Sequence, residues 1–371
     1  MTSRMKRTCL VPIDYDLHGV VGIRLLDASS GDARVVARQL GLPSRPLSRE
    51  PDIVIRFVDD LRLTSPLRYL GLEDAAYTEE AFVVIQGGSG ARVKIPFEDV
   101  GGRCEIVCES GLSAVPLLIA TINTTALGKG VVPLHASAFV YRGVGTLVTG
   151  WSKGGKTEAL LAFASRGAEY LGDEWIYLSG DSERMYGIPQ PIRVWDWHLD
   201  QFDGYRRRVG WRNRVRLGMI RNGLWMSRVM TGGLRSGSVL DRMQALARRQ
   251  TYVDIAPDRL FGPYGSLEGA IDRVFFVGST AAPDVLVRPV SADEVARRMV
   301  HSVHYEFAPL WSHYLRFKFA FPQATNERIE SLEARLRAPL HRVLADKPAY
   351  AVDHPYPMSI AALYDAMSPL I

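Results

Sequence analysis

The 371-residue sequence predicts a mixed α/β protein with three parts: a β-rich accessory domain over residues 1–128, an α/β domain over 129–300, and a helical segment over 301–371. Three observations lead to this division. Short β-rich runs separated by Gly, Asp and Pro clusters fill the first part. In the second part, apolar strand-like runs alternate with a glycine-rich loop and a helical stretch, and amphipathic helical patterns dominate the third.

The runs that predict strands in the first part are PDIVIRFV, AFVVIQGG, RVKIPF and RCEIVC. They are followed by SAVPLLIATINTTAL, which predicts one mostly buried helix. No nucleophile with an adjacent base stands out in this part, so we expect it to have an accessory role.

Composition restricts the class of protein. The net charge is +5, and 47% of the residues are hydrophobic, which is typical of a soluble globular chain. The most apolar window is interrupted by Pro116, Asn123 and several threonines, so it is too short and too polar to span a bilayer. The N-terminus has no apolar stretch of signal-peptide length. We therefore expect a cytoplasmic protein with no membrane partner.

The three cysteines, Cys9, Cys104 and Cys108, are too few for a disulfide framework. Cys104 and Cys108 are four residues apart, which is the wrong spacing for a ribbon-type zinc site. We expect small buried side chains in a reducing compartment.

A glycine-rich stretch carries the most specific functional signal. In LVTGWSKGGKTEALL (147–161), four residues separate Gly150 from Gly155-Lys156-Thr157, which satisfies the phosphate-binding P-loop pattern. Glycines let backbone N–H groups approach phosphate oxygens, and the helix start adds unpaired donors. Lys156 is expected on the β/γ-phosphates of ATP and the Thr157 hydroxyl on Mg²⁺. The predicted nucleotide-binding residues are Gly150, Trp151, Ser152, Lys153, Gly154, Gly155, Lys156, Thr157 and Glu158.

Two further features accompany this loop. Asp173 and Glu174 follow Gly150 by 23 and 24 residues, a spacing that lets their strand lie beside the strand before the loop. A carboxylate there can hold Mg²⁺ or accept a proton from a nucleophile, and the alternative is a solvated strand end. His135 stands on the strand leading into the loop, although such a histidine, taken alone, is more often a core or surface residue.

The stretch LHASAFVYRGVGTLVTGWSKGGKTEALLAFASRGAEYLGDEW resembles the catalytic core of the HPr kinase/phosphorylase family. These bacterial serine kinases share a P-loop fold with phosphoenolpyruvate carboxykinases. The resemblance implies that fold, a mixed sheet with helices, for residues 129–300. It also implies that Asp173 is the general base, that Glu174 and Thr157 hold Mg²⁺, and that His135 is a catalytic partner of the site beside Lys156.

The sequence departs from the family in three places. The acidic pair is Asp-Glu and not Asp-Asp, and the glycine- and isoleucine-rich downstream signature is missing. The Arg-rich loop of the family is also missing, with Arg288 in VLVRPV as a candidate remnant. We therefore do not expect the phosphocarrier protein as the substrate. The family's phosphocarrier kinases form oligomers, so the resemblance also raises the expectation of a homo-oligomer.

Residues 203–250 hold twelve arginines against two acids, together with Trp211 and Trp225. Such a segment could track phosphates and stack bases of a nucleic acid. We favour a basic lid over ATP, or a surface that recruits an acidic peptide, because no recognised nucleic-acid module is present. Which of these arginines contacts the phosphates is left open.

His301 and His304 have a spacing that could ligate a metal, but without an HExxH pattern a partly buried helix face is the better interpretation.

The leading hypothesis is an ATP- and Mg²⁺-dependent kinase that phosphorylates a hydroxyl, most plausibly Ser or Thr of a peptide or protein. One alternative is a kinase that acts on the hydroxyl of a small metabolite. Another is a nucleotide-binding regulator or NTPase without a phosphoacceptor, to which a proton acceptor such as Asp173 would be superfluous.

Overall fold

A computed structural model describes residues 11–69, 75–85, 90–180, 183–202, 205–230 and 251–371. Its strands are β1 (Ile13–Leu17), β2 (Val21–Leu26), β3 (Ile53–Val58), β4 (Arg68–Tyr69), β5 (Ala75–Tyr77), β6 (Ala81–Ile85), β7 (Arg92–Pro96), β8 (Cys104–Glu109), β9 (Val131–Tyr141), β10 (Val144–Gly150), β11 (Glu169–Gly172), β12 (Trp175–Ser179), β13 (Arg184–Gly187), β14 (Ile192–Trp195), β15 (Tyr252–Ile255), β16 (Glu268–Ala270), β17 (Arg273–Ser279), β18 (Leu286–Val290) and β19 (Ala349–His354).

The helices in these ranges are α1 (Ser30–Leu40), α2 (Leu118–Gly128), α3 (Lys156–Ala164), α4 (Asp196–Gln201), α5 (Tyr205–Arg208), α6 (Trp211–Met230), α7 (Pro257–Phe261), α8 (Ala292–Glu306), α9 (Ala308–Ala320), α10 (Glu327–Glu330), α11 (Leu332–Leu344) and α12 (Ile360–Met367), and a short 3₁₀ helix (Ser368–Leu370) follows. The chain is therefore a mixed α/β protein, as the sequence predicts. Within the described ranges, no helix is both long and apolar enough to cross a membrane.

The N-terminal part forms an eight-stranded mixed sheet in the order β1-β2-β3-β8-β7-β6-β5-β4. Strand β3 shows why these runs become strands: Ile53, Ile55 and Phe57 are buried and alternate with less buried residues. This alternation places one face of the strand against the core. The predicted β-rich character of this part is confirmed, and α1 and α2 accompany the sheet.

The second sheet contains the glycine-rich loop. Eight of its nine strands follow the order β16-β13-β12-β9-β10-β17-β19-β18, and the ninth, β11, pairs with β9. Strands β10, β17 and β19 are mutually parallel neighbours. Because the carboxyl ends of parallel strands meet at one edge of a sheet, Gly150, Ser279 and His354 end their strands on the same side. The loop after β10 opens at this edge.

A two-residue turn connects β9 to β10. Arg142 and Gly143 connect the two antiparallel strands, with φ angles of 52° and 83°. A two-residue hairpin with positive φ at both positions matches the twist of its strands. This tight hairpin fixes the register of His135 on β9 relative to the loop after β10.

The C-terminal helices contact both sheets. In α9, Phe317 stacks on Phe97 of the N-terminal sheet with a centroid distance of 3.8 Å. Asn326 donates from Nδ2 to the Phe97 carbonyl oxygen at 2.7 Å. One buried hydrophobic cluster accordingly includes residues of both sheets and of α2, α8, α9 and α11.

Two features of the C-terminal part differ from the sequence interpretation. The predicted boundary between residues 300 and 301 falls inside helix α8, and the predicted helical segment includes strand β19. Strand β19 lies between β17 and β18, so both of its backbone edges are hydrogen-bonded. This tertiary pairing overrides the weak strand signal of AYAVDH.

The Arg-rich segment is described only in part. Helices α5 and α6 hold its first arginines, and Leu217 of α6 is buried. Arg235, Arg242, Arg248 and Arg249 lie outside the described residues, as does Cys9.

Candidate functional site

A cavity of about 630 Å³ lies at the sheet edge where β10 ends. Most of the residues predicted from the sequence line it: His135, Ser152, Lys153, Gly154, Gly155, Lys156, Thr157, Glu158, Asp173 and Glu174. Arg193, Trp195, His198, Ser279, Glu306 and Tyr356 complete the lining. Gly150 and Trp151 are not part of it; Trp151 is half exposed and packs against Tyr305 of α8.

The loop between β10 and α3 needs glycine at two positions. Gly150 has a φ of 153°, and a Cβ there would lie 2.3 Å from the Val277 carbonyl oxygen on β17. Gly155 has a φ of 107°, and a Cβ there would lie 2.5 Å from Nε2 of His354. No side chain caps the start of α3. The first N–H groups of a helix have no acceptor within it, so they suit an anion.

Lys156 is the buried cation of the loop, with 5% of the residue exposed. Its Nζ donates to the carbonyl oxygens of Trp151 at 2.9 Å and Gly150 at 3.4 Å. Burial lowers the pKa of Lys156 from its ordinary value. A buried ammonium held by carbonyl oxygens would gain from a phosphate beside it.

Asp173 and Glu174 lie in the short break between two strands. Strands β11 and β12 both pair with β9 and keep one register across this break, and the register shift lies within β11, between Tyr170 and Gly172. Glu174 adopts a left-handed φ of 69°, and its carbonyl oxygen accepts from the Ala136 backbone N–H. The expected pairing of this strand with the strand before the loop is wrong, because β9 lies between them. Both carboxyl groups nevertheless line the cavity from this break.

Asp173 is 3% exposed and accepts two side-chain hydrogen bonds. Ser137 Oγ on β9 donates to Oδ1, and Thr157 Oγ1 in the first turn of α3 donates to Oδ2 at 3.0 Å. Burial, together with the neighbouring charge of Glu174, raises the pKa of Asp173 to about 6. A carboxylate with such a pKa is suited to take up a proton near neutral pH.

His135 lies between two carboxylates. Its Nε2 is 3.0 Å from Glu174 Oε2, and its Nδ1 is 2.7 Å from Glu306 Oε1 at the end of α8. Burial acts to lower the pKa of His135, but the two carboxylates offset this and raise the pKa above its ordinary value. The hydrogen bond with His135 lowers the pKa of Glu174 despite burial. The triad therefore favours an imidazolium between two carboxylates.

A second histidine–carboxylate pair lies under the start of α3. His198 Nδ1 accepts from the Trp195 backbone N–H at 3.2 Å, so Nε2 carries the proton. This Nε2 donates to Glu158 Oε1 at 3.0 Å. Burial acts to raise the pKa of Glu158, but the hydrogen bond from His198 holds it below its ordinary value. Glu158 thus has a structural contact, and it also lines the cavity.

His354 supports the loop from the end of β19 and is fully buried. Its Nε2 contacts the Gly154 carbonyl oxygen at 2.7 Å, and its Nδ1 contacts the Pro355 carbonyl oxygen at 2.9 Å. From the other side, Ser302 Oγ of α8 donates to the Gly150 carbonyl oxygen at 3.3 Å. The loop is therefore held from two elements far away in the sequence.

Sequence reasoning missed several of these groups. A signal existed only for Ser137, which follows His135 by two residues on one strand and so faces the same side. Glu306, His198 and His354 reach the site through long-range packing. Arg193 lines the cavity and donates to Asp254 at 3.1 Å, and no local motif marks it.

Other residues considered from the sequence lie away from the cavity. Arg288 is 3.5 Å from Asp353 and is not among the cavity-lining residues. His304 stacks on Trp311 with a centroid distance of 5.3 Å, in keeping with a packed helix face. Cys104 and Cys108 are buried and free, and burial raises the pKa of Cys104 to about 12.

The site combines oxygen-bearing side chains, which suit Mg²⁺, with hydrogen-bond donors, which suit phosphate oxygens. In the described ranges, no group of three or more His, Cys, Asp or Glu side chains is placed to hold a metal by itself. Mg²⁺ in phosphoryl-transfer sites takes one or two protein oxygens, and the rest come from phosphates and water. Thr157, Asp173 and Glu174 line the same cavity as the loop and fit that requirement.

Comparisons with known proteins add no relative. No protein-family model matches this chain, and no curated protein matches it significantly.

Proposed function

We propose that this chain is an ATP- and Mg²⁺-dependent kinase that transfers the γ-phosphoryl group to a hydroxyl, on Ser or Thr of a peptide or protein. One observation carries the proposal. A buried carboxylate with a pKa near 6, Asp173, lies within hydrogen-bond distance of Thr157 in the first turn after a glycine-rich loop. A general base beside a phosphate cradle is what phosphoryl transfer to a hydroxyl requires.

The nucleotide would bind through backbone and lysine groups of the loop. The proposed fold is the P-loop fold shared by HPr kinases and phosphoenolpyruvate carboxykinases. In support, the loop joins β10 to an uncapped helix, and Lys156 stands at the first position of that helix. Phosphate oxygens would replace the carbonyl oxygens of Trp151 and Gly150 as partners of Lys156 Nζ.

Mg²⁺, when bound, neutralises charge on the β- and γ-phosphates. Thr157 and Glu174 are the proposed ligands. Thr157 Oγ1 donates to Asp173 Oδ2 at 3.0 Å, so the proposed base lies beside one of these proposed ligands. His135 and Glu306 would orient Glu174 through the hydrogen bond to its Oε2.

Proton transfer would involve Asp173. The acceptor hydroxyl gives its proton to an Asp173 oxygen while its own oxygen bonds to the γ-phosphorus, and the bond from that phosphorus to the β-phosphate oxygen breaks. ADP then leaves. The hydrogen bonds from Ser137 and Thr157 hold the Asp173 carboxylate in one orientation.

The test is phosphoryl transfer from γ-labelled ATP with Mg²⁺ to a panel of Ser- and Thr-containing peptides and small hydroxyl compounds. Label on a peptide hydroxyl supports the proposal. Label only on small compounds would establish the metabolite kinase, and nucleotide binding without any transfer would favour the regulator.

A further inference from the structure

A second cavity, of about 270 Å³, shares one lining residue, Glu306, with the first. The start of α2 and the start of α9 form its walls, and Trp175, the residue after Glu174, also lines it. Its described lining residues are Gln39, Leu117, Leu118, Ile119, Ala120, Asn123, Trp175, Glu306, Phe307 and Pro309.

Hydrogen-bond donors converge on this second cavity. Helix α2 has eleven residues, and Leu117 at its N-cap has no side-chain oxygen, so no side chain caps the helix. The N–H groups of residues 118–120 in its first turn therefore have no acceptor within the helix. One turn on, Asn123 is 1% exposed, and its Nδ2 has no hydrogen-bond partner in the described structure.

The oxygen of the Asn123 amide already has a partner. Its Oδ1 accepts a hydrogen bond of 2.6 Å from the hydroxyl of the buried Tyr177. The remaining Nδ2 donor belongs to a side chain that lines the cavity. A buried donor without a partner is unfavourable, so a ligand oxygen there would be stabilised.

These donors select a singly charged oxyanion. The positive end of the α2 dipole and an amide N–H₂ favour a carboxylate. None of the described lining residues is a lysine, arginine or histidine, so the doubly charged phosphate has no counter-ion here. The one carboxylate in the described lining, Glu306, has an oxygen 2.7 Å from His135 Nδ1.

We propose that the second cavity binds the carboxylate of the acceptor molecule whose hydroxyl reacts in the first cavity. This inference rests on the proposed kinase function. The acceptor would pass beside Glu306, with its hydroxyl toward Asp173 and its carboxylate toward Asn123 and the start of α2. A free hydroxy acid and the end of a peptide both offer this chemistry.

The test compares N-acetyl-L-serine with N-acetyl-L-serine amide, and a Ser-ending peptide with its C-terminally amidated form. Binding to the full chain is measured by NMR titration, and MgADP binding is measured on the same samples. We expect each acid to bind about tenfold or more tightly than its amide, because a charge-assisted contact is lost in the amide. The acid that binds more tightly shows whether the carboxylate belongs to a free hydroxy acid or to the end of a peptide.

Two variants separate ligand binding from folding. Asn123→Asp keeps the volume and the acceptor for Tyr177 but replaces the Nδ2 donor by an oxygen. Tyr177→Phe removes the hydrogen bond from the Tyr177 hydroxyl to Asn123 Oδ1 but keeps the Asn123 amide with its Nδ2 donor. We expect Asn123→Asp to lose the preference for the acid, and Tyr177→Phe to keep it.

Equal binding of acid and amide by the parent chain would overturn the inference, and so would the same loss in both variants. If MgADP binds but no acid binds, the inference fails and the kinase proposal stands. If the acids bind with the expected preference and MgADP does not bind, the carboxylate site stands and the proposed function fails.

Discussion

His354 Nε2 lies 2.7 Å from the carbonyl oxygen of Gly154, although 200 residues separate the two in the sequence. The contact exists because β17 lies between β10 and β19 and runs parallel to both. The carboxyl ends of the three strands therefore lie at the same edge of the sheet. The position of His354 also explains why residue 155 is a glycine, since a Cβ there would collide with the imidazole. Both ring nitrogens lie within hydrogen-bond distance of carbonyl oxygens.

Replacing His354 by alanine should weaken nucleotide binding. The loop would lose its hydrogen bond to Gly154, and a net loss of about 1 kcal/mol corresponds to about fivefold in affinity. Calorimetric titration with MgADP measures the change. His341→Ala is the control, because His341 pairs with Asp293 away from the cavity. Equal affinities of the two variants would show that the contact does not shape the loop.

Lys156→Ala should weaken nucleotide binding much more than Lys153→Ala does. Both lysines line the cavity, but Lys156 is buried with its Nζ on loop carbonyls, whereas Lys153 is exposed. Charge-assisted hydrogen bonds to phosphate are worth about 1.5–3 kcal/mol, so we expect a loss of about tenfold to 100-fold for Lys156→Ala. Fluorescence titration with a labelled nucleotide measures it. A larger loss for Lys153→Ala would contradict the assignment.

Ser137→Ala should move the acid limb of the rate–pH profile to higher pH. Asp173 must be ionised to accept a proton, so activity should rise as pH increases through its pKa of about 6. The hydrogen bond from Ser137 favours the ionised form, and its loss would raise that pKa further.

The measurement is kcat/KM against pH for the parent chain and the variant. Thr146→Val serves as the control, because Thr146 is buried on β10 and does not line the cavity. An unchanged acid limb in Ser137→Ala would exclude Asp173 as the group that controls it.

Glu158→Gln should make stability less dependent on pH in acid. The pKa of Glu158 is lowered in the folded chain, so its stabilisation is present above the ordinary pKa and is lost as pH falls through the folded value. The hydrogen bond to His198 involves a charged group, and we expect a loss of about 2 kcal/mol near neutral pH.

Denaturant unfolding of Glu158→Gln at several pH values gives this dependence. Glu333→Gln is a control at a half-exposed carboxylate on α11. If the two variants show the same stability profile, the Glu158–His198 pair does not contribute as described.

Local patterns were enough to predict the loop and its neighbours. The glycine-rich loop and the helix that begins at Lys156 follow from residues adjacent in sequence. The runs PDIVIRFV, AFVVIQGG, RVKIPF and RCEIVC likewise predicted the strands β3, β6, β7 and β8. These features depend on short-range sterics and periodicity, which a single sequence records.

The remaining site residues depend on pairing between distant strands and helices. Asp173 and Glu174 lie where β11 and β12 meet along one long partner, β9, and no motif marks this. Glu306 reaches His135 because α8 ends beside β9. Such contacts are fixed by the packing of elements and not by spacing, so the sequence alone could not predict them.

The most direct test of the central claim compares Asp173→Asn with the parent chain in two assays on the same preparations: phosphoryl transfer from γ-labelled ATP to a hydroxyl acceptor, and MgADP affinity. The amide keeps the shape of the side chain but cannot take up the proton. The account predicts that transfer falls by about 100-fold or more, while MgADP affinity changes by less than about threefold. Undiminished transfer in Asp173→Asn would contradict it.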